Sequence, residues 1–228
     1  MVSFTAGQSE KLPRRALSEE AYDHVRRGLI RSRYRSGERL VLRPLAAELG
    51  LSPTPVREAL LRLVSEHALE LNDRNTAVVP AMTQRSFAEI HDLRSDLEMR
   101  LAAAAAQRAS EHGIEALVIL QNQFMDAARA HDDGGMAAFN ADFHTTVATL
   151  AELPLTATIL RNLWMRIGPI YALSRPMRHL EHEGRLHPHE ELITALRQRD
   201  VAAAQAPLAP DLEQARRWIE PRQTGKPP

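Results

Sequence analysis

The stretch from Leu40 to Leu63 constrains the fold of this chain more than any other. Its first half has apolar residues at helical spacing, followed by a glycine where a helix would end and a serine that can start the next helix. These residues are Leu42, Leu45, Ala46, Leu49, Gly50 and Ser52. The pattern predicts two short helices joined by a tight turn.

The second of these helices is amphipathic. Val56, Leu60 and Leu63 form an inward stripe, while Thr54 and Arg57 fall on other faces near its start. Such a helix suits the major groove of DNA, because helix N-termini bind phosphate and arginine pairs with guanine. The pattern alone leaves an ordinary helical hairpin with a solvated basic face as the alternative.

The flanking sequence favours a DNA-binding head. Upstream, four apolar residues at helical spacing predict another helix, Tyr22, Val25, Leu29 and Ile30, which ends before a turn at Gly37. Downstream, residues 70–80 contain two short apolar runs around a polar turn, which predicts a β-hairpin. Together these elements predict a winged helix-turn-helix.

At this point the chain resembles the DNA-binding domain of the GntR family of bacterial transcription regulators. The resemblance is carried by Gly37-Glu38-Arg39-Leu40, by Leu45-Ala46-x-x-Leu49-Gly50-Leu51-Ser52-x-Thr54-Pro55-Val56-Arg57-Glu58-Ala59-Leu60 and by Leu63. It implies that polar side chains of both helices and of the wing contact double-stranded DNA, with the wing tip in the minor groove. The matching residues are Arg43, Ser52, Thr54, Arg57, Arg74 and Asn75.

Two positions depart from the family pattern. Pro53 stands where the family often has arginine, which removes one possible contact with DNA and predicts a different operator. Thr76 stands where the wing usually has glycine, and threonine adopts a positive φ less readily. We therefore expect a wing turn of another type.

Composition and charge narrow the function classes. The chain has no cysteine, which excludes disulfides, thiolate metal sites and cysteine nucleophiles. Basic and acidic residues number 29 each, but residues 1–80 carry a net charge of +3 and residues 81–228 a net charge of −3. The positive excess lies in the predicted DNA-binding half. Because no apolar run reaches transmembrane length, we expect a cytoplasmic protein without a membrane partner.

From Thr83 onward the sequence predicts only helices, packed as an antiparallel bundle. They are expected near 84–109, 113–130, 135–151, 154–179 (with breaks before Pro169 and Pro176), 187–199 and 201–219. The fold class is therefore mostly α, with a winged helix-turn-helix at 17–82 and an all-α bundle of six or seven helices at 83–220. A flexible arm (1–16) and tail (221–228) are expected at the ends.

The bundle carries a second group of polar residues. Asn140 and His144 are four apart and share a helix face, while His189 and Asp211 belong to later helices. Imidazole nitrogen and carboxylate oxygen are ligands for zinc, nickel or manganese. Spacing alone does not establish that these residues converge, and solvated or capping histidines are the alternative. A further group, His179, His182 and His187, is expected in a solvated loop.

Arg94-x-x-Leu97-Glu98, Phe143-His144, His189-x-x-Leu192 and Asp200 resemble the FCD effector domain of FadR-type GntR regulators. The resemblance implies an aspartate and three histidines around a divalent metal at the floor of a ligand cavity. The matching positions are Asn140, His144, His189 and Asp211. The single carboxylate of the set is therefore at position 211 instead of position 140.

The same resemblance implies a small organic acid as effector. Arg94 is the expected partner of its carboxylate, and Arg166 or Arg161 on a later helix is a second candidate. Trp164 and Tyr171 are expected to pack rather than to line the cavity.

Two other functions remain open at this stage. A metal-dependent hydrolase could use His144 and His189 with Asp211 or Glu190 as general base, although no P-loop, Gly-x-Ser-x-Gly or His-Glu-x-x-His motif is present. A nucleic-acid adaptor that binds no ligand is the other alternative. We interpret the chain as a non-enzymatic, ligand-responsive repressor that binds a pseudo-palindromic operator as a homodimer.

Overall fold

The computed structural model describes residues 14–171, 187–213 and 216. The amino-terminal head contains three helices, α1 (Arg14–Ile30), α2 (Leu42–Glu48) and α3 (Pro53–Ser65). It also contains three short strands, β1 (Arg39–Leu40), β2 (Glu70–Leu71) and β3 (Ala77–Val78). Helix α1 begins at Arg14, inside the segment that the sequence assigns to a flexible arm. The rest of that arm and the tail at 221–228 lie outside the described residues.

The helix-turn-helix forms as the sequence predicts. Gly50 ends the turn after α2 with a φ of +64°, a conformation that glycine adopts without steric cost. The inward face of α3 packs against α1, and α2 packs on α3. The buried apolar residues of α2 and α3 are Leu45, Ala46, Val56, Ala59, Leu60 and Leu63. This shared core fixes the angle at which α3 leaves the head.

The wing belongs to a three-stranded antiparallel sheet with the order β1-β3-β2. The hairpin of β2 and β3 is confirmed, whereas β1 was not predicted. In the wing turn the positive φ falls on Asn75, at +54°. The Asn72 side chain accepts hydrogen bonds from the backbone N–H groups of Arg74 and Thr76, both at 3.0 Å. This Asx-type turn explains how the wing forms with threonine at position 76.

The bundle contains helices α4 (Gln84–Arg108), α5 (Glu111–Arg129), α6 (Asp133–Leu150), α7 (Pro154–Tyr171), α8 (Pro188–Gln198) and α9 (Val201–Gln205). Residues 208–213 are helical again. Thr83, Ser110, Asp132 and Asp200 each cap the start of a helix through the side chain, which explains where those helices begin. The described residues beyond Thr83 contain no strand.

Two helix expectations in this half are wrong in detail. Helix α7 continues through Pro169 to Tyr171 without the predicted break, while Pro176 lies outside the described residues. The predicted helix 201–219 is interrupted by a turn at residues 206 and 207, where Pro207 lacks the N–H group that a continuous helix would use. The stretch that carries Asp211 is therefore separate from α9.

The head packs on the bundle through α1 and α7. The Ser32 hydroxyl, at the end of α1, donates to the Gly168 carbonyl at 2.7 Å. A Cβ atom at Gly168 would lie 2.2 Å from the Leu29 carbonyl oxygen, so glycine is what allows this approach. Arg31 adds an ion pair to Asp142 of α6, at 3.4 Å. Within the described residues, every helix is too short or too polar to span a membrane.

Candidate functional site

The six residues expected to contact DNA are all exposed and lie on the head. Arg43, Arg57, Arg74 and Asn75 line one concavity of about 650 Å³ between α2, α3 and the wing. Ser52 and Thr54 lie at the start of α3. Among the described residues, Ser52 caps no backbone N–H of α3 through its hydroxyl, although it occupies the N-cap position. Because Pro53 and Pro55 have no N–H group, Thr54 supplies the one N–H among the first three residues of α3, next to the exposed Ser52.

Arg62 shows that not every arginine of α3 belongs to this surface. It donates to both carboxylate oxygens of Glu19 at 2.9 Å and to Glu66 at 3.1 Å, and its guanidinium lies 3.7 Å from the centre of the Tyr22 ring. Arg62 therefore ties α3 to α1. Thr54, Arg57 and Leu61, at spacings of three and four residues, are exposed on one face of α3.

The bundle brings together three of the four residues expected to hold a metal. One ligand atom from each of His144, His189 and Asp211 lies within 4.8 Å of the other two. Both histidines are buried, and the Asp211 side chain is 14% exposed. Asn140 is buried one turn before His144 on α6. Residues from α6, α8 and the 208–213 stretch thus converge although they lie far apart in sequence.

Each histidine of this group is held by a second polar side chain. The Nδ1 atom of His144 lies 2.8 Å from Glu98 Oε2, and its Nε2 atom lies 3.3 Å from Asp211 Oδ2. The Nδ1 atom of His189 lies 2.8 Å from Gln121 Oε1, which can accept its proton. In both residues the partner at Nδ1 leaves Nε2 as the nitrogen that can bind a metal ion.

Arg94 lies completely buried next to this group. Its Nε and one terminal nitrogen are each 2.8 Å from Glu98 Oε1, and the other terminal nitrogen donates to the Tyr171 hydroxyl at 3.1 Å. The guanidinium also lies 3.9 Å from the ring centre of Trp164. Trp164 and Tyr171 therefore do more than pack, because both hold the arginine that the sequence assigns to the effector.

The charges in this cluster shift each other's titration. Burial alone would raise the pKa of Glu98, but Arg94 and His144 beside it lower this pKa to about 2. Burial would lower the pKa of His144, yet Glu98 and Asp211 raise it to about 9. The pKa of Asp211 falls to about 2 because its hydrogen bond with His144 outweighs burial. Positive and negative groups thus alternate through the cluster.

A small cavity adjoins the cluster on one side. Glu98, His144 and Leu160 line it, and its volume is about 10 Å³, which is room for about one water molecule. A cavity for a small organic ligand measures several hundred Å³. This cavity by itself is therefore too small for an organic acid, and Arg94 is not among the residues that line it.

Other predicted residues lie elsewhere. Arg166 is half-buried on α7, two positions from Trp164 and hence on a different face of the helix, so its effector role stays a prediction. Arg161 lies near α1, where burial and the charge of Arg26 lower its pKa. Asp142 pairs with Arg31 at 3.4 Å and is not part of the cluster.

Of the group His179, His182 and His187, only one residue is among the described residues. His187 is buried, not solvated as expected, and its Nδ1 atom accepts a hydrogen bond from the His189 backbone N–H at 3.1 Å. It therefore caps α8 and fixes the start of the helix that carries His189. His179 and His182 lie outside the described residues.

Sequence reasoning gave no role to Glu98 and missed Gln121. Both interrupt apolar helical stripes: Gln121 follows Ile114 and Leu117 and precedes Phe124 on the buried face of α5. A polar residue at a core position needs a hydrogen-bond partner, and this signal was available in the sequence. Its partner, 68 residues away, was not.

Comparison with known proteins agrees with both halves of the chain. Residues 17–79 match the family model described as bacterial regulatory proteins, gntR family, and residues 89–214 match the FCD domain. The HTH-type transcriptional regulator McbR of Escherichia coli (strain K12) is 30% identical over 182 residues, which are 78% of this chain and 81% of that protein.

A second relative and a solved structure are also similar to most of the chain. The gluconate operon transcriptional repressor of Bacillus subtilis (strain 168) is 29% identical over 190 residues, covering 80% of this chain and 76% of that protein. The solved structure of E. coli McbR/YncC superposes with a TM-score of 0.81 at 27% identity, covering 90% of this chain and 98% of the other. These relatives are transcription regulators, and nothing in the comparisons supports the hydrolase alternative. The chain therefore belongs to the gntR family of bacterial regulatory proteins, in the FadR-type group whose bundle is an FCD domain.

Proposed function

We propose that this transcription regulator binds a pseudo-palindromic operator as a homodimer, and that a small organic acid and a divalent metal ion in the bundle change its affinity for DNA. One observation carries the proposal: the chain has a basic, concave surface on the head and a separate buried cluster of metal-ligand side chains in the bundle. Because bacterial operators are cytoplasmic, we assign the protein to the cytoplasm.

The DNA contacts are assigned to the exposed polar residues of the head. The start of α3, with Ser52, Thr54 and Arg57, enters the major groove, where Arg57 can donate two hydrogen bonds to one guanine. The wing tip, with Arg74 and Asn75, reaches the minor groove, and Arg43 contacts phosphate. The concavity shared by Arg43, Arg57 and Arg74 supports this assignment, because one strand of the duplex must pass between helix and wing.

The metal site is assigned to His144, His189 and Asp211, with Asn140 as a fourth ligand. Two imidazoles and one carboxylate fit zinc, nickel or manganese. The donor set passes a chemical test of fit, since both histidines have a hydrogen-bonded side chain at Nδ1, as metal-binding histidines generally do. When bound, the ion would supply an electrophilic centre that an effector carboxylate can coordinate.

The effector is proposed to be a small carboxylate that reaches Arg94. Glu98 and Tyr171 accept hydrogen bonds from Nε and one terminal nitrogen of this arginine, while the other terminal nitrogen is in ion-pair contact with Glu98 without a hydrogen bond. Because the cavity at Glu98 and His144 measures only about 10 Å³, we propose that an acid entering there displaces neighbouring side chains. An effector that must displace α7 or the 208–213 stretch is able to change the shape of the bundle.

The homodimer follows from the operator symmetry that we propose, because a two-fold symmetric site presents two equivalent half-sites. The bundle is the proposed pairing surface. Sedimentation equilibrium of the full-length chain tests this directly. A dimer has twice the 25.5 kDa mass of one chain, and the mass of a single chain at micromolar concentration would contradict the proposal.

The DNA assignment is tested by changing Arg57 to alanine. We expect a loss of roughly 1–3 kcal/mol on the selected operator and a smaller loss on random duplex, because the bidentate contact with guanine disappears. Fluorescence anisotropy with both duplexes at one salt concentration measures this. Arg129→Ala is the matched control, since its side chain is 71% exposed on the bundle. Equal losses on both duplexes would reassign Arg57 to phosphate.

A further inference from the structure

An exposed apolar patch lies in the middle of the basic concavity on the head. Among the described residues, seven large apolar side chains are exposed: Val41, Leu61, Leu71, Leu93, Ile119, Leu155 and Ile159. Three of them, Val41, Leu61 and Leu71, line the same concavity as Arg43, Arg57 and Arg74. The apolar patch of Val41, Leu61 and Leu71 thus shares one concavity with three arginines, whose charge complements a nucleic acid.

Leu61 has the clearest position in this patch. It is 49% exposed and follows Arg57 by four residues, so the two side chains share the outward face of α3. Its neighbours on either side point elsewhere. Leu60 is buried in the head, and Arg62 is held against α1 by Glu19 and Glu66. Leu61 therefore extends the surface that begins with Thr54 and Arg57.

The chemistry of the major groove identifies what such a leucine can contact. Base edges there present hydrogen-bond donors and acceptors, and the one apolar group is the C5-methyl of thymine. We propose that Leu61 contacts a thymine methyl group of the operator, and that Val41 and Leu71 help to exclude water from this contact. The inference rests on the proposed docking of α3 in the major groove.

The helix geometry also limits where this thymine lies. One turn of α-helix separates Leu61 from Arg57, which is about 5.4 Å along the axis. Successive bases are about 3.4 Å apart along a strand. The thymine is therefore one or two base pairs from the guanine that Arg57 recognises. Leu61 is a specificity-determining residue that the sequence reasoning did not include.

The test uses the full-length protein and a DNA duplex of about 30 base pairs that this protein has selected from a random-sequence library. Each thymine is replaced in turn by deoxyuridine, which removes only the methyl group. At one position in each half-site we expect the replacement to weaken wild-type binding about fourfold, the effect of one buried methyl group. Leu61→Ala should bind the unmodified duplex more weakly and should be insensitive to deoxyuridine at that position.

Leu93→Ala is the control variant, because Leu93 is similarly exposed, at 46%, but lies on α4 of the bundle. It should respond to deoxyuridine as the wild type does. The inference is overturned if no deoxyuridine weakens wild-type binding, or if Leu61→Ala remains as sensitive as the wild type. Failure of the wild type to select any duplex would instead overturn the proposed DNA contact itself.

Discussion

At the scale of single residues, His144 determines how the buried cluster is organised. Its ring lies between two carboxylates, Glu98 at Nδ1 and Asp211 at Nε2, while Arg94 neutralises Glu98 from the other side. Buried charges are costly unless they are paired, and here each has an opposite charge in contact. Glu98 at Nδ1 is already paired with Arg94, whereas the Nε2 side of His144 faces Asp211, so a divalent ion would take the place between His144, His189 and Asp211.

This position leads to a prediction about metal content. His144→Gln keeps a side chain that can hydrogen-bond to Glu98 but removes the imidazole ligand. After loading with Zn²⁺ and dialysis, we expect its bound metal to fall by about tenfold or more relative to the wild type, because loss of a supporting residue alone typically has that effect. Elemental analysis of the purified protein measures the bound metal.

The control is His112→Gln, because His112 is an exposed histidine on α5. Its metal content should equal that of the wild type, and circular dichroism should show both variants folded. A His144→Gln protein that retains one zinc ion per chain would contradict the site. His189→Gln gives an independent check, since Gln121 orients that ring.

The candidate residues could be predicted in part from the sequence. Arg57 and His144 stand in motifs with fixed spacing, so a role could be proposed for each from the sequence alone. Gln121 and Glu98 could not be, because their roles depend on hydrogen bonds to residues 68 and 46 positions away. The amide at position 140 and the carboxylate at position 211 were visible in the sequence, whereas the approach of Asp211 to His144 was not.

At the scale of elements, α7 connects the two parts of the molecule. One face of the helix carries Trp164 and Tyr171, which hold Arg94. The same helix carries Gly168, one turn after Trp164, whose carbonyl accepts a hydrogen bond from the Ser32 hydroxyl at the end of α1. Helix α6 has the same arrangement, with His144 facing the cluster and Asp142 paired with Arg31. Both helices therefore contact the cluster as well as the head.

Gly168→Ala tests the α1–α7 contact. The new methyl group would meet the carbonyl oxygens of Leu29 and Ile30 at 2.2 and 2.7 Å, and these are backbone atoms that cannot rotate away. We expect a loss of roughly 1–3 kcal/mol in the free energy of unfolding, as for other overpacked sites. We also expect a smaller effect of Zn²⁺ on operator affinity. Urea unfolding and anisotropy titrations measure the two quantities.

Gly134→Ala is the matched control for this substitution. Gly134 lies in the first turn of α6, and its nearest neighbour is a carboxylate oxygen of Asp132 at 3.5 Å, so a methyl group fits there. Stability and zinc response should both stay at wild-type values or above, since alanine favours helix. If Gly168→Ala loses stability but keeps the full zinc response, the α1–α7 contact does not carry the coupling.

Periodicity predicts the elements well where a helix has a clear stripe and a capping residue. The starts of α4 and α6 coincide with Thr83 and Asp132, two side-chain caps that lie within three residues of the predicted starts. Strand β1 has two residues and no periodicity of its own, and it forms only because β3 offers an open edge. At Pro207 the sequence predicts too much helix. The predicted helix 201–219 runs through this proline, whereas the structure has a turn there.

At the scale of the whole molecule, DNA binding and ligand binding share one scaffold. The head and the bundle have separate surfaces, but α1 rests on the helices that form the walls of the cluster. A ligand changes DNA affinity only if it binds the DNA-competent arrangement with a different free energy from the other arrangement. Thermodynamic linkage then requires that DNA changes the affinity for the ligand by the same factor.

This requirement gives the last prediction. Operator affinity of the full-length protein is measured with excess Zn²⁺ and with a chelator, and zinc affinity is measured with and without saturating operator. We expect the ratio of the two operator affinities to equal the ratio of the two zinc affinities. Both ratios should lie between roughly 5 and 150, the usual range of allosteric coupling. In His144→Gln both ratios should approach one, because the ion is no longer held. Equal operator affinity with zinc and with chelator in the wild type would contradict coupling, since α6 and α7 would then hold the head identically in both states.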